Sequence, residues 1–200
     1  EATLLTLKSQ HPNVYEDLKD NLSEATTQIQ RASEIIRRMR ELIRHRTTQR
    51  IPQKIDDVIE EACLFAFMGI ESENIQIEKI YNSSGAESLL DRIQIQQVII
   101  NIIRNAVDAM CETEDRNLSI STEVDGGFVT ISIADTGPGI ADEIASRLFQ
   151  PLVTSKPQGL GMGLSLSKNI IDAHQGEISF TSNNGKGTVF DIRLPIYREP

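Results

Sequence analysis

Residues 91–110, DRIQIQQVIINIIRNAVDAM, carry Ile95, Val98, Ile99, Ile102, Ile103, Ala106, Val107 and Met110 at alternating spacings of three and one. That pattern puts one continuous apolar face on a helix and predicts an element packed against a core. Asp91, just before the run, is placed to cap it. On the polar side Asn101, Asn105 and Asp108 fall at i, i+4 and i+7, so three short polar side chains share one stripe. Amide oxygens and a single carboxylate suit a hydrated magnesium ion held mainly by phosphate oxygens. A plain solvated helix face has the same composition, so the triplet alone decides nothing.

Working outward, the flanking segments change period. Residues 118–124 and 128–134 alternate apolar and polar like strands and are joined by Asp125-Gly126-Gly127, a hairpin signal. A second hairpin is predicted from Ile178 to Leu194 around Asn183-Asn184-Gly185-Lys186-Gly187, after a helix from about Leu164 to Ala173 that stops near Gly176. Upstream, Ile55 to Phe67 has helical spacing, and Ile75, Ile77 and Ile80 suggest a strand. Helices and strands in separate runs predict an α+β fold: a two-layer sandwich with a mixed, mostly antiparallel sheet.

The first 48 residues are different. Leu18, Leu22, Ala25, Ile29, Ala32, Ile36, Met39 and Ile43 alternate spacings of four and three, a heptad seam that must pack on another helix. The expectation is a long helix of a dimeric helical bundle over 1–48, with a second domain over 49–200 beginning near Ile51-Pro52. Docking of the seam onto the rest of the chain is the alternative. Because the chain opens on Glu1 rather than Met, it is expected to be a fragment.

Composition narrows the class. With 39% hydrophobic and 24% charged residues, the 200-residue chain reads as a globular protein, and no apolar run is long enough to span a bilayer. The expectation is a cytoplasmic location with no membrane contact from this segment. A net charge of -9 argues against broad nucleic-acid binding, which needs clustered Lys and Arg. Cys63 and Cys111 form no CxxC pair and are expected to be buried, reduced thiols.

Two further stretches carry chemistry. Asp135-Thr136-Gly137-Pro138-Gly139-Ile140 follows a predicted strand; a carboxylate there can accept a hydrogen bond from an exocyclic amine such as that of adenine, and the glycines admit a planar base. Gly159-Leu160-Gly161-Met162-Gly163-Leu164 leads into a helix whose N-terminal N–H groups can face a polyphosphate. Between them, Leu148 to Lys156 reads as a flap with Lys156 as a phosphate contact, or as an ordinary surface loop.

Order and spacing make these stretches specific. QQVIINIIRNAVDAM resembles the N box, DTGPGI the G1 box, LFQPLVTSK the F box and GLGMGLSLSKNIIDAHQG the G2 box of the sensor histidine kinase catalytic domain, in the superfamily that includes DNA gyrase, Hsp90 and MutL. The likeness runs from about Ile51 to Pro195. It implies Mg-ATP as cofactor, with Asn105 as magnesium ligand and catalytic residue, and Asn101 and Asp108 beside it near the phosphates. It further implies Asp135 on the adenine amine and Gly137, Gly139 and Ile140 around the base. Lys156 joins the phosphate contacts and is the second catalytic residue; Gly159, Gly161, Gly163 and Leu164 belong to the lid; Thr188 supports adenine through water. In one departure, Leu152 occupies an F-box position where a second aromatic is usual.

The heptad helix, especially RASEIIRRMREL, resembles the second helix of the family's dimerisation and phosphotransfer hairpin, and the phrasing is similar to oxygen-responsive sensor kinases of nitrogen fixation. The resemblance implies a homodimer through this helix and a response-regulator receiver domain as partner. The family's acceptor motif, His followed by an acidic residue, is not present at His11, His45 or His174. The chain is therefore expected to bind ATP but scarcely autophosphorylate. Rival readings are a gyrase- or Hsp90-type ATPase, an anti-sigma serine kinase and a non-enzymatic ATP-binding or dimerisation module. The first needs a Glu general base, and the position four residues before Asn105 is held by Asn101.

Overall fold

A computed structural model describes residues 50–68, 75–154, 161–182 and 185–199, together with Val14, Tyr15, Lys19, Asn21, Leu22 and Thr26. The chain divides into two compact units, 1–46 and 47–200. In the first unit the six described residues are helical, and the Thr26 hydroxyl donates to the Leu22 carbonyl at 2.8 Å. The remainder of the heptad seam, with His11 and His45, lies outside the described residues, as do Lys156 and Gly159.

The second unit opens with strand β1 (Ile51–Lys54) and helix α1 (Ile55–Phe67). Asp56 and Asp57 place negative charge in the first turn of α1, where the helix dipole favours it. Strands β2 (Gln76–Tyr81) and β3 (Glu87–Leu90) precede helix α2 (Arg92–Ala109), whose first turn is capped by the Asp91 carboxylate accepting from Gln94 N–H at 3.2 Å. Next come β4 (Asn117–Asp125), β5 (Phe128–Asp135), the single turn α3 (Asp142–Ala145), α4 (Gly163–Ala173), β6 (Glu177–Ser182) and β7 (Thr188–Pro195).

Five strands form one sheet in the order β2-β4-β5-β7-β6, parallel between β2 and β4 and antiparallel elsewhere. Alternation along β4, β5 and β7 sends Leu118, Ile120, Ile131, Ile133, Phe190 and Ile192 to the buried face and leaves polar residues opposite, where Ser132 donates to Asp191 at 2.6 Å. Helix α2 packs between α1 and α4 and lays Ile95, Ile99, Ile102 and Ile103, all fully buried, into the same core. The predicted two-layer α+β sandwich is the one observed.

Some details differ from the expectation. β1 and β3 pair antiparallel as a small separate sheet, with Ile51 opposite Leu90, which no alternation in either four-residue strand announces. The strand around Ile77 exists but is a solvent-facing edge, with both Ile77 and Ile80 exposed. Cys63 is buried in α1 as expected, whereas Cys111 is exposed. The misplacement has a simple cause: α2 ends at Ala109, and Met110 takes the last inward position before the chain turns away. Among the described residues no helix is long and apolar enough to cross a membrane.

Candidate functional site

The C-terminal end of β5 delivers Asp135 to the helix layer. Parity along the strand points its side chain inward with Ile131 and Ile133, so the carboxylate is 8% exposed. It accepts from Gly137 N–H at 2.8 Å and from the backbone N–H of Thr188, its partner on β7. Burial pushes its pKa above the ordinary carboxylate value, and these two hydrogen bonds only partly offset that. A buried carboxylate with acceptor capacity left over is suited to a single amine.

The loop after Asp135 is held from two sides. Ser182, at the end of β6, accepts from Ile140 N–H at 2.8 Å and donates to the Gly187 carbonyl, while Gly185 N–H reaches Pro138 O at 2.7 Å. A Cβ on Gly187 would fall on the Asp135 carbonyl oxygen, and the residue's φ is +88°, so only glycine fits there. Thr188 is buried, with its hydroxyl 3.4 Å from that of Ser182. Thr136 fastens the other edge by donating to the Asp115 carbonyl at 2.7 Å.

Helix α2 links this pocket to the glycine-rich segment. Its last turn meets the loop where a Cβ on Gly137 would lie 3.2 Å from the Ala109 Cβ. Eight residues earlier, Asn101 lies against Gly163 at the start of α4 and donates from Nδ2 to Ser167 Oγ at 3.0 Å. Asn105 stands midway on the same stripe, half-buried, and Asp108 is exposed. Eight residues of helix span about 12 Å. One stripe therefore joins a site for a base amine to a helix N-terminus with no side-chain cap, preceded by Gly161 at φ +62°. An N-terminus of that kind attracts phosphate.

Of the residues expected at the site, Asp135, Gly137, Gly139, Ile140 and Thr188 cluster at one end, Asn101, Gly161, Gly163 and Leu164 at the other, and Asn105 between. Asn101 is turned to α4 instead of standing free. Among the described residues no group of three or more His, Cys, Asp or Glu side chains converges. The half-buried Asn105 amide, midway along the stripe, has the chemistry to join phosphate oxygens around a magnesium ion. Ser182 and Ala109 were missed by the sequence reading. Both act through contacts with backbone, which no motif spacing records.

His174 is structural, as its lack of an acidic neighbour suggested. It is 3% exposed, with Nδ1 2.7 Å from the Ile170 carbonyl and Nε2 accepting from Asp91 N–H at 3.0 Å. Burial holds its pKa below the usual value.

Comparison with known proteins agrees with this geometry. The family described as histidine kinase-, DNA gyrase B- and HSP90-like ATPase matches residues 90–198. The sensor protein FixL of Bradyrhizobium diazoefficiens is 35% identical over 175 residues, which cover 87% of this chain and 35% of that protein. The chain thus spans about a third of that relative's length. The solved catalytic domain of histidine kinase ThkA is 30% identical with a TM-score of 0.65, over 73% of this chain and 95% of that one. A ThkA structure in complex with response regulator protein TrrA aligns with a TM-score of 0.73 at 26% identity, over 97% of this chain and 56% of that one. The chain belongs to the histidine kinase-, DNA gyrase B- and HSP90-like ATPase family, and its second unit is a sensor histidine kinase catalytic domain.

Proposed function

We infer that the second unit binds Mg-ATP and, in the intact protein, delivers the γ-phosphate to a histidine on a neighbouring helix, from which a response-regulator receiver domain takes it. The observation that carries this is the single stripe of α2, anchored at Gly137 beside Asp135 and at Gly163 at the start of α4, with Asn105 midway. Asp135 would accept from the adenine amine, Gly137, Gly139 and Ile140 would border the ring, and Thr188 would support it through water. At the other end Asn105 would hold the metal, flanked by Asn101 and Asp108. Gly159, Gly161, Gly163 and Leu164 would cover the phosphates, with Lys156 as their cation.

Magnesium, when bound, neutralises charge on the transferring phosphoryl group. The chain's own part is positioning: a buried carboxylate orients the base, and helix N–H groups fix the phosphates so that the acceptor meets a pre-aligned group. The position four residues before Asn105, where an ATPase of the gyrase or Hsp90 type uses Glu to activate water, is held by Asn101, an amide that cannot act as a general base. The ThkA–TrrA alignment supports a receiver domain as partner, and the heptad seam supports a homodimer. An ATP-consuming domain works on the cytoplasmic side.

Two measurements test this. Calorimetry should show ATP binding that strengthens with magnesium, and its absence would refute the nucleotide reading. Incubation with labelled ATP should leave this chain almost unlabelled, since none of His11, His45 and His174 is followed by the acidic residue of the acceptor motif and His174 is also buried with both ring nitrogens engaged. Strong acid-labile labelling would place the acceptor within it.

A further inference from the structure

We propose that Asn101 and Ser167 form a positioning pair that registers the lid helix α4 on the metal-binding helix α2, so that Asn101 acts on the phosphates through Ser167 and not by touching them. The inference rests on the Mg-ATP reading of the site.

The geometry is specific. Asn101 donates from Nδ2 to Ser167 Oγ at 3.0 Å, and Ser167 is 2% exposed, so the acceptor side of this part-buried bond is turned away from solvent. One turn earlier on α4, a Cβ built on Gly163 would collide with Asn101 Oδ1 and lie 3.1 Å from both Cγ and Nδ2. Gly163 does not have a positive φ, so its backbone does not require glycine. What requires it is the Asn101 carboxamide, which occupies the volume of a side chain at 163. The two contacts grip the first turns of α4, the turns whose N–H groups face the phosphates. From the opposite side, the Leu152–Val153 backbone closes on Gly161, where a Cβ would lie 2.6 Å away. The start of α4 is thus held between the flap and Asn101, in register with Asn105 one turn along α2. Swinging the amide of Asn101 to a phosphate would break the Ser167 bond and remove the surface on which Gly163 rests.

The test is a double-mutant cycle on the whole chain, with Mg-ATP affinity from calorimetry, adenosine affinity from NMR titration, and thermal melts to verify folding. Loss of one hydrogen bond corresponds to about a fivefold change. Asn101→Ala and Ser167→Ala should each weaken Mg-ATP by about that factor, and the double variant by no more than either alone. Adenosine affinity should stay within about twofold, because the Asp135 end is untouched. Gly163→Ala should lose Mg-ATP affinity by at least that same factor of about five, because its Cβ displaces the Asn101 carboxamide from Ser167. Adding Asn101→Ala should return it to the level of Asn101→Ala alone. Ser167→Ala binding Mg-ATP like the parent while Asn101→Ala loses affinity would overturn the pairing and make Asn101 a direct ligand. Additive losses, or no rescue of Gly163→Ala, would overturn it equally. A parent chain that binds adenosine but gains nothing from magnesium and phosphates would overturn the Mg-ATP reading itself, and the pairing with it.

Discussion

Replacing Asp135 by Asn isolates the role of one buried carboxylate. The side chain already accepts from Gly137 N–H at 2.8 Å and from Thr188 N–H, and the adenine amine would be a third donor to it. Asn has only one acceptor oxygen. If that oxygen keeps the Gly137 bond, the NH2 group faces donors on the remaining side, so a charge-assisted hydrogen bond is exchanged for a mismatch. Such a bond is worth about 1.5–3 kcal/mol, and with the mismatch the upper half of that range applies, roughly a 45- to 150-fold loss of ATP affinity. Stability should move little, within about 1 kcal/mol, because removing a buried charge relieves desolvation while the Thr188 N–H loses its acceptor. Inosine triphosphate sharpens the test. It carries a carbonyl where adenine carries the amine, so the wild-type carboxylate repels it, whereas the amide NH2 introduced by Asp135→Asn would donate to it.

Calorimetry with both nucleotides should therefore show the preference for ATP collapsing in Asp135→Asn. Equal losses for the two nucleotides, or ATP affinity within threefold of the parent, would refute the assignment of Asp135 to the base. The same carboxyl gives a pH signature. Its folded pKa is raised, so the native state holds this proton more tightly than the unfolded chain does. The stability it contributes is present below the unfolded value and is lost as pH rises through the folded one, leaving a net cost at neutral pH. Adenine binding needs the ionised form. Affinity should thus fall on acidification before an ordinary carboxylate, near 3.8, would begin to titrate.

Three other outcomes are expected. His174 has a folded pKa lowered chiefly by burial, against the Ile170 carbonyl that favours its charge, with Arg50 disfavouring and Asp91 favouring it to a smaller extent, so its contribution to stability is complete above about 6.5 and lost as pH falls through the folded value; the melting temperature should drop over that window, and His174→Gln should flatten the drop. Gly187→Ala should cost roughly 2–4 kcal/mol in chemical denaturation, because it adds a collision with the Asp135 carbonyl to a left-handed φ. Gly185→Ala, with the same sign of φ and nothing within 4 Å, should cost only about 1 kcal/mol, and equal losses would contradict the close approach at 187. A thiol reagent should titrate Cys111 rapidly in the native chain and Cys63 only on unfolding, since burial raises the Cys63 pKa and hides its sulfur.

What the sequence disclosed tracks the physics of each element. Helix α2 and the two hairpins were legible because a long apolar period and glycine-rich turns are local properties. Strands β1 and β3 were not, since four residues hold too little alternation and Pro52 argues against a strand. Nothing local tells β2 to pair parallel with β4; the parallel pairing needs a crossover, and the chain between the two strands runs through β3 and α2 to make it. At the candidate site, motif order singles out Asp135 and its glycines, and the structure brings them together at the end of β5. It does not single out Ser182 and Ser167, because a serine that serves one backbone loop or one neighbouring amide has no characteristic neighbours in sequence.

The departure at Leu152 shows how an unusual residue can leave the site intact. A second aromatic is usual at that F-box position, whereas here the Leu152 side chain is 74% exposed and its φ is +66°. Position 152 meets Gly161 through its backbone, which closes on the glycine together with Val153. The aromatic packing comes from elsewhere: Phe149 meets the Phe180 ring edge-on at 6.0 Å between centroids, and Phe180 lies at the same distance from Phe190 in the core. Through Phe149 the flap is anchored to the sheet at β6 and β7, while its backbone at 152–153 bounds the start of α4. The side chain at 152 is therefore free to vary in chemistry, whereas the space at 161 is not. An aromatic introduced at 152 would add surface to solvent without a partner among the described residues, but any Cβ at 161 would separate the flap from the helix whose N-terminus Asn101 holds on its other side.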